Sequence, residues 1–428
     1  MAISNDTILK KHKSGAMDNI CQIVCARFPA LQHQNFRRFL AGQSISLIGT
    51  WMQRAAQQWV VYEITKSPFI LGLVGVFQYM PMLLFSVFAG VYADRFPKRK
   101  FLLVIQVAQM LQAFVLAGLL WSGNIQYWHI FILAAFLGLT HTFDMPTRQS
   151  FFIELVEKED LVSAIGLNSS IVNVARIIGP AVGGFFLSYF GAAVCFFVNG
   201  ISFVAVIISL HSIKSYNANV RDKGKNILHE VTDGLKYMRS KSILLDAILL
   251  MLVVGIVGMN SDIIIPVFAH EVLQQQAGGY SLMLSAMGVG ALIGSLIFAS
   301  RKKVGFDREI LYKSALLLSV FLVITSFVRS YYISLFSLAA VGLCSVLFMA
   351  TVNSIIQLNT SDEYRGRAMG IYTLVFTGTT PIGNLFTGIV MQQFGASAGF
   401  LISGVLCAIL ISALIVVQRL SPVRAADT

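Results

Sequence analysis

The chain of 428 residues is 56% hydrophobic and only 12% charged. A soluble domain needs about a quarter of its residues charged to cover its surface, so a water-soluble globular protein is excluded and a lipid bilayer is the simplest solvent. The formal net charge of +12 would suit a nucleic-acid partner, but the basic residues are distributed as membrane topology requires, and no nucleic-acid partner is expected.

Residues 1–35 are polar and basic, with Lys10, Lys11 and Lys13. They lack the long apolar core and small-residue cleavage site of a signal peptide and read as a cytoplasmic N-terminal tail. The five cysteines, Cys21, Cys25, Cys195, Cys344 and Cys407, are scattered and have no histidine cluster beside them. Neither a disulfide framework nor a metal site is expected. They read as small apolar residues.

A spanning helix needs roughly 20 apolar residues. Stretches near 38–60, 69–93, 101–121, 129–151, 165–189, 192–211, 243–267, 280–299, 310–329, 332–355, 368–391 and 397–418 meet that length. None alternates as a barrel strand would. The fold class is therefore an all-α membrane protein with twelve transmembrane helices. The longest interior polar stretch divides it into a six-helix bundle (36–211), a cytoplasmic linker (212–242), a second six-helix bundle (243–418) and a cytoplasmic C-terminal tail (419–428).

Basic residues fix the expected orientation. With the N-terminus in the cytoplasm, that side receives Arg37, Arg38, Arg95, Lys98, Arg99, Lys100, Lys214, Arg221, Lys223, Lys225, Lys236, Arg239, Lys241, Arg301, Lys302, Lys303, Arg308, Arg365, Arg367 and Arg419. The opposite side keeps little beyond Lys66 and Arg329, which is the positive-inside pattern. In the linker, Asn226 can cap a short helix. Ile227, Val231, Leu235 and Met238 recur there at helical spacing. Such a helix lies either on the inner membrane surface or packed on the protein.

The first span carries Arg54 with Gln57 and Gln58 on one face by i, i+3, i+4 spacing, and Gln53 nearby. The second ends in Gly90-Val91-Tyr92-Ala93-Asp94-Arg95-Phe96-Pro97-Lys98-Arg99-Lys100. In the fifth, Asn173 stands one turn before Arg176, followed by Gly179, Pro180, Gly183 and Gly184. Small residues let helices approach closely and Pro180 can bend the helix. The eleventh span echoes the fifth with Pro381, Gly383 and Gly388, as two parallel repeats would.

Charges inside a membrane are costly and functional. Coupling to protons needs an acid whose burial keeps its proton near neutrality. Asp262 beside Asn260, and Asp144 with His141 and Arg148 at helical spacing, are candidates; Glu63 sits at the outer end of the first span. No acid stands in the unambiguous middle of a helix. Pro146 is expected to break the fourth span, with Asp144 capping the turn that follows.

The 90–100 loop resembles the G-x-x-x-D-R-x-G-R-R signature of the major facilitator superfamily, through Gly90, Asp94, Arg95, Lys98 and Arg99, with Pro97 where glycine is usual. The Gly-Pro-x-x-Gly-Gly element resembles the end of that superfamily's antiporter motif. Phe36-Arg37-Arg38-Phe39-Leu40, Arg176 and Tyr364-Arg365-Gly366-Arg367 resemble the bacterial branch that contains the enterobactin exporter. The resemblance implies the major facilitator fold, in which the Asp and Arg of the loop latch the two halves in the outward-facing state. It places Arg54, Gln57, Gln58, Asn173 and Arg176 beside a central cavity, where the arginines attract an anionic or carbonyl-rich substrate.

These features imply a secondary active transporter of the bacterial inner membrane with both termini cytoplasmic. It would be a monomer working by alternating access, an antiporter for efflux of a siderophore or an amphipathic drug-like molecule. The proton gradient would drive it, with no cofactor. A lysophospholipid flippase is the alternative transport reading. A membrane-embedded receptor or enzyme lacks support: the seven histidines are dispersed, no G-x-x-x-x-G-K loop occurs, and no catalytic residue is nominated.

Overall fold

The computed structural model describes residues 28–213, 227–300 and 308–420. Residues 1–27 of the N-terminal tail with Cys21 and Cys25, the linker residues Lys214, Arg221, Lys223, Lys225 and Asn226, the basic run Arg301, Lys302 and Lys303, and residues 421–428 of the C-terminal tail lie outside the described residues.

Each expected span is helical. The first bundle comprises α1 (Gln34–Thr65), α2 (Pro68–Arg95), α3 (Lys98–Trp121), α4 (Tyr127–Ile153), α5 (Leu161–Phe190) and α6 (Ala192–Ser212). A linker helix, α7 (Ile227–Ser240), follows. The second bundle holds α8 (Ser242–Val253) and α9 (Ser261–Glu271), which together make the seventh span, then α10 (Ala277–Ala299), α11 (Arg308–Phe327), α12 (Tyr331–Asn359), α13 (Asp362–Phe394) and α14 (Ala396–Leu420). Local chemistry sets the boundaries. Ser67 accepts a hydrogen bond from the Ile70 N–H at 3.3 Å and Pro68 opens the first turn of α2. Single glycines in the left-handed region, Gly191 (φ 79°) and Gly395 (φ 84°), make the tight turns α5–α6 and α13–α14. They occupy equivalent positions in the two bundles.

Eleven of the spans are long and apolar enough to cross a membrane. α1 is the exception: it has the length, but Arg54 and its glutamines lower its hydropathy. The helix least like a lipid-facing one is thus the helix that carries the polar site. It survives in the bilayer because Gln53, Gln57 and Gln58 are buried against protein.

Packing repeats across the bundles. α2 packs on α4 as α10 packs on α12, and α3 on α6 as α11 on α14. The bundles meet along two seams, α2 with α13 and α5 with α10. With an even number of spans, both described ends and α7 lie on one face, called here the linker face.

Two expectations about helix continuity fail. α4 runs unbroken through Pro146. Asp144 does not cap a turn but accepts two hydrogen bonds from Arg148, at 2.9 and 2.7 Å, and one from Gln106 Nε2 at 3.0 Å. Those bonds fix the helix where the proline removes one. The seventh span, expected to be continuous, is interrupted by a π turn at Val254–Gly258. Gly255 and Gly258 weaken the helix there, Asn260 Nδ2 donates back to the Ile256 carbonyl at 2.7 Å, and Pro266 cannot donate to the first turn of α9. The break moves Asp262 from an ordinary helical position to the N-terminus of a half-helix in mid-span.

α7 packs on the start of α13. The Tyr237 and Tyr364 rings stack at 4.3 Å, the Ser361 N–H donates to the Tyr237 hydroxyl at 3.0 Å, and Lys241 Nζ donates to the Asn359 carbonyl at 2.8 Å. Met238 is buried beneath this contact, while Leu235, Lys236 and Arg239 are exposed.

Candidate functional site at the bundle interface

The bundles are joined at mid-span and toward the face opposite the linker, the sealed face. Ser67 Oγ donates to Gln392 Oε1 at 2.8 Å, Tyr280 OH to the Ala55 carbonyl at 3.3 Å, and Ser285 Oγ to the Ile177 carbonyl at 3.0 Å. Small residues make this closure possible. A Cβ on Gly388 would lie 3.3 Å from the Cα of Gly72, and one on Gly184 only 2.5 Å from the Cβ of Ser281. The hydrogen bonds and close glycine contacts that join the bundles lie at mid-span and on the sealed face, whereas near the linker face a Cβ added at Gly166 on α5, or at Gly366 and Gly370 on α13, meets nothing within 4 Å.

At mid-span stands a charged and aromatic cluster. Arg54 of α1 is ion-paired with Asp262 of α9 and donates to the Tyr79 hydroxyl of α2 at 3.0 Å. Asp262 also sits in the first turn of its half-helix, where the helix dipole favours a carboxylate. Two arginines flank one indole: the guanidinium carbons of Arg54 and Arg176 lie 5.2 and 5.3 Å from the Trp51 ring centre. Arg176 makes no hydrogen bond or ion pair among the described residues, and its Nε is buried without a partner. Two guanidinium groups and one carboxylate leave a net positive charge, with one set of strong donors unfilled. A partnerless buried donor is costly and is relieved by a ligand that brings acceptor oxygens.

The sequence candidates separate into groups. Arg54, Arg176 and Asp262 come together. Asn173 is half-buried one turn from Arg176, and neither Gln57 nor Gln58 bonds to Arg54 or Asp262, although both are buried. The buried Gln58 Oε1 has no partner. Asp144 belongs to a separate network inside the first bundle, and Glu63 is exposed at the end of α1. Gly179 and Gly183 pack on α1 against Trp51 and Met52, whereas Gly184 packs across the interface on α10. In the loop signature, Lys98 pairs with Glu154 at 2.6 Å, and Arg99 donates to the Leu210 and His211 carbonyls, both at 2.6 Å. These contacts stay within the first bundle. The side chains of Asp94 and Arg95, and the surroundings of Gly90, lie outside the described residues.

Sequence reasoning missed Trp51, Tyr79 and Tyr280 as site neighbours. It also missed a buried amide ladder in which Asn199 donates to Gln53 at 2.6 Å, Gln53 to Gln112 at 3.1 Å and Gln109 to Thr140 at 3.4 Å. The ladder's signal was present: Gln106, Gln109 and Gln112 recur every three residues along one face of α3. It ties α1, α3, α4 and α6 into a rigid wall behind Arg54.

Known proteins agree with this architecture. The nucleoside transporter NupG superposes with a TM-score of 0.72 at 9% identity, covering 91% of this chain and 100% of that one. A bacterial homologue of the human lysosomal transporter Spinster, in an inward-facing and unoccupied conformation, gives a TM-score of 0.68 at 13% identity over 90% of this chain and 95% of that one. These likenesses show the fold. In sequence, the staphyloferrin A transporter of Staphylococcus aureus is 25% identical over 86% of this chain and 92% of its own length. The macrolide efflux protein A of Streptococcus pyogenes is 21% identical over 92% of this chain and 97% of its own length. The multidrug efflux pump Tap of Mycolicibacterium fortuitum is 21% identical over 84% of this chain and 88% of its own length. The family model described as transmembrane secretion effector matches residues 25–428, and the chain belongs to that family of multi-pass major facilitator transporters, which are not enzymes.

Proposed function

We propose that this chain is a proton-driven exporter of the bacterial inner membrane. It moves a siderophore or drug-like amphipathic molecule from the cytoplasm outward. The linker face is the cytoplasmic one, supported by Arg37, Arg38, Lys98, Arg99, Lys100, Arg239, Lys241, Arg308, Arg365 and Arg367 on that side. Both termini are then cytoplasmic. Each chain carries both bundles and works as a monomer in contact with membrane lipid. The names of the relatives support export of such molecules.

One observation carries the reading: the unpaired Arg176 stands beside an Arg54–Asp262 pair that bridges the bundles at mid-membrane. A substrate with a carboxylate or carbonyl oxygen for Arg176, and a hydroxyl or amine donor for Asp262, fills both. Trp51 and Tyr79 offer its apolar body aromatic surface. A proton arriving from outside takes the same carboxylate, so donor and proton compete for Asp262 and the two move in opposite directions. Protonation also breaks a bond between the halves, which favours opening of the sealed face. The return to the cytoplasm-open state re-forms the pair with Arg54 and expels the proton inward. The signature residues Gly90, Asp94, Arg95, Lys98 and Arg99 then latch the cytoplasmic ends in the alternate state. Of the acids, this reading assigns coupling to Asp262 rather than to Asp144 or Glu63.

Transport into inverted vesicles, with a panel of siderophores, macrolides and lysophospholipids, tests this. Accumulation of a siderophore or macrolide that an uncoupler abolishes is the expected result. Uncoupler-insensitive movement of a lysophospholipid would replace it with the flippase reading.

A further inference from the structure

The linker helix carries an outer face that the transport reading does not use. Its inner face runs antiparallel to α13. Lys241 bonds the end of α12 at Asn359, Tyr237 stacks on Tyr364, and a Cβ on Gly234 would lie 3.1 Å from that of Arg367 and 2.9 Å from Ile371 Cδ1. From Lys241 to Gly234, α7 therefore climbs along α13 toward mid-span. At 33 residues, α13 is about 50 Å long, against about 30 Å for a hydrocarbon core. Its charged residues Asp362, Glu363, Arg365 and Arg367 put the overhang at the linker face. α7 packs on that overhang, at the depth of the lipid headgroups.

The side of α13 that α7 covers is the lipid side. Tyr364, Arg367 and Ile371 begin a stripe that continues at spacings of three and four to Ile382 and Ile389, which are 54% and 39% exposed. Other sides of α13 are filled: Asn384 packs on Gly75 of α2, and Thr379 and Gly383 pack on Gly255 and Asn260 of the seventh span. The face of α7 turned away from α13 presents Leu235 and Arg239, one turn apart, with Lys236 beside them. Leu235 is 50% exposed. Lys236 and Arg239 are exposed and make no hydrogen bond or ion pair among the described residues. Asp233 does not compensate them, because it is paired with Arg367 at 3.9 Å.

We propose that this face of α7 binds anionic phospholipid in the leaflet on the linker face. Leu235 reaches the acyl boundary, and Lys236 and Arg239 take headgroup phosphates, as on other interfacial helices. An apolar side chain beside two uncompensated cations fits a lipid, which carries phosphate and acyl chain on one molecule. A soluble anion would leave the leucine in water. The chain just before α7 adds Lys214, Arg221, Lys223 and Lys225 in sequence, and such basic clusters are drawn to anionic headgroups. The bound lipid anchors α7 to the bilayer surface and, through the tyrosine stack, the start of α13. This site depends on neither the substrate nor the coupling acid.

Native mass spectrometry of the full chain, released from nanodiscs of mixed phosphatidylcholine and phosphatidylglycerol, tests this. The unaltered protein should retain phosphatidylglycerol preferentially. Lys236→Gln with Arg239→Gln should lower that preference about 10- to 30-fold. Lys236→Arg with Arg239→Lys, which keeps both charges, should preserve it, and so should Lys100→Gln, which removes an exposed linker-face cation outside α7. A bimane on Leu235→Cys, in a chain whose five native cysteines are replaced by alanine, should be quenched by lipid spin-labelled near the headgroup. An unchanged preference in the double glutamine variant, an equal loss in Lys100→Gln, or a bimane that these lipids fail to quench overturns the proposal.

Discussion

Arg54 of α1 and Asp262 at the head of α9 form an ion pair that joins the bundles in mid-membrane, across 208 residues of sequence. The pair is about a third exposed, with side-chain accessibilities of 34% and 35%. A fully buried pair loses about 3–5 kcal/mol when one partner goes; this wetter pair should lose about 1–2 kcal/mol. Arg54→Gln and Asp262→Asn should each destabilise the purified protein by that amount in thermal unfolding. The double variant should recover most of the loss, and additive losses would show that the two side chains act separately.

Arg176 predicts an affinity effect with little change in fold. A charge-assisted hydrogen bond contributes about 1.5–3 kcal/mol, so Arg176→Gln should raise the KM for an acidic or carbonyl-rich substrate about 10- to 100-fold. Arg176→Lys should restore it in part, because an ammonium cannot offer the planar two-donor fork. Thermal stability should be unchanged or slightly higher, since an unsatisfied donor is removed.

Asp144 separates structure from coupling. Asp144→Asn leaves the half-buried Arg148 opposite a neutral amide and should lower stability by about 2–3 kcal/mol. The number of protons exchanged per substrate should stay as in the unaltered protein. A changed proton count would move the coupling acid from α9 to α4.

The seam at Gly184 predicts a conformational block. A valine there drives its Cβ into Ser281, 2.5 Å away. Gly184→Val should prevent the sealed face from closing and hold the transporter open on that side. Cysteine labelling at the sealed face should rise and transport should fall at least tenfold. Gly166→Ala, facing open space, should be neutral by both measures.

Much of this was legible in the sequence because a bilayer enforces it. Span length and the basic residues flanking the spans are local consequences of a lipid solvent, and all twelve spans lie where the apolar runs place them. Arg54, Arg176 and Asp262 were legible singly, as charges that a lipid-facing helix would not carry. Their meeting was not, because it depends on the tilt of one bundle against the other and on a helix break that brings Asp262 to a half-helix N-terminus. The glycines and Asn260 that weaken the seventh span look like ordinary packing residues in sequence. Pro146 misled for the opposite reason: Arg148 and Gln106 hold Asp144 and carry α4 past the proline.

The central claim is that Asp262, paired with Arg54, is where the proton enters the transport cycle. Substrate-driven proton flux and substrate counterflow, measured on the same proteoliposomes, test it most directly. Asp262→Asn should keep counterflow but move no protons and build no gradient against substrate, and its substrate affinity should no longer weaken as pH falls. An Asp262→Asn protein that still accumulates substrate under an imposed pH gradient would contradict the account.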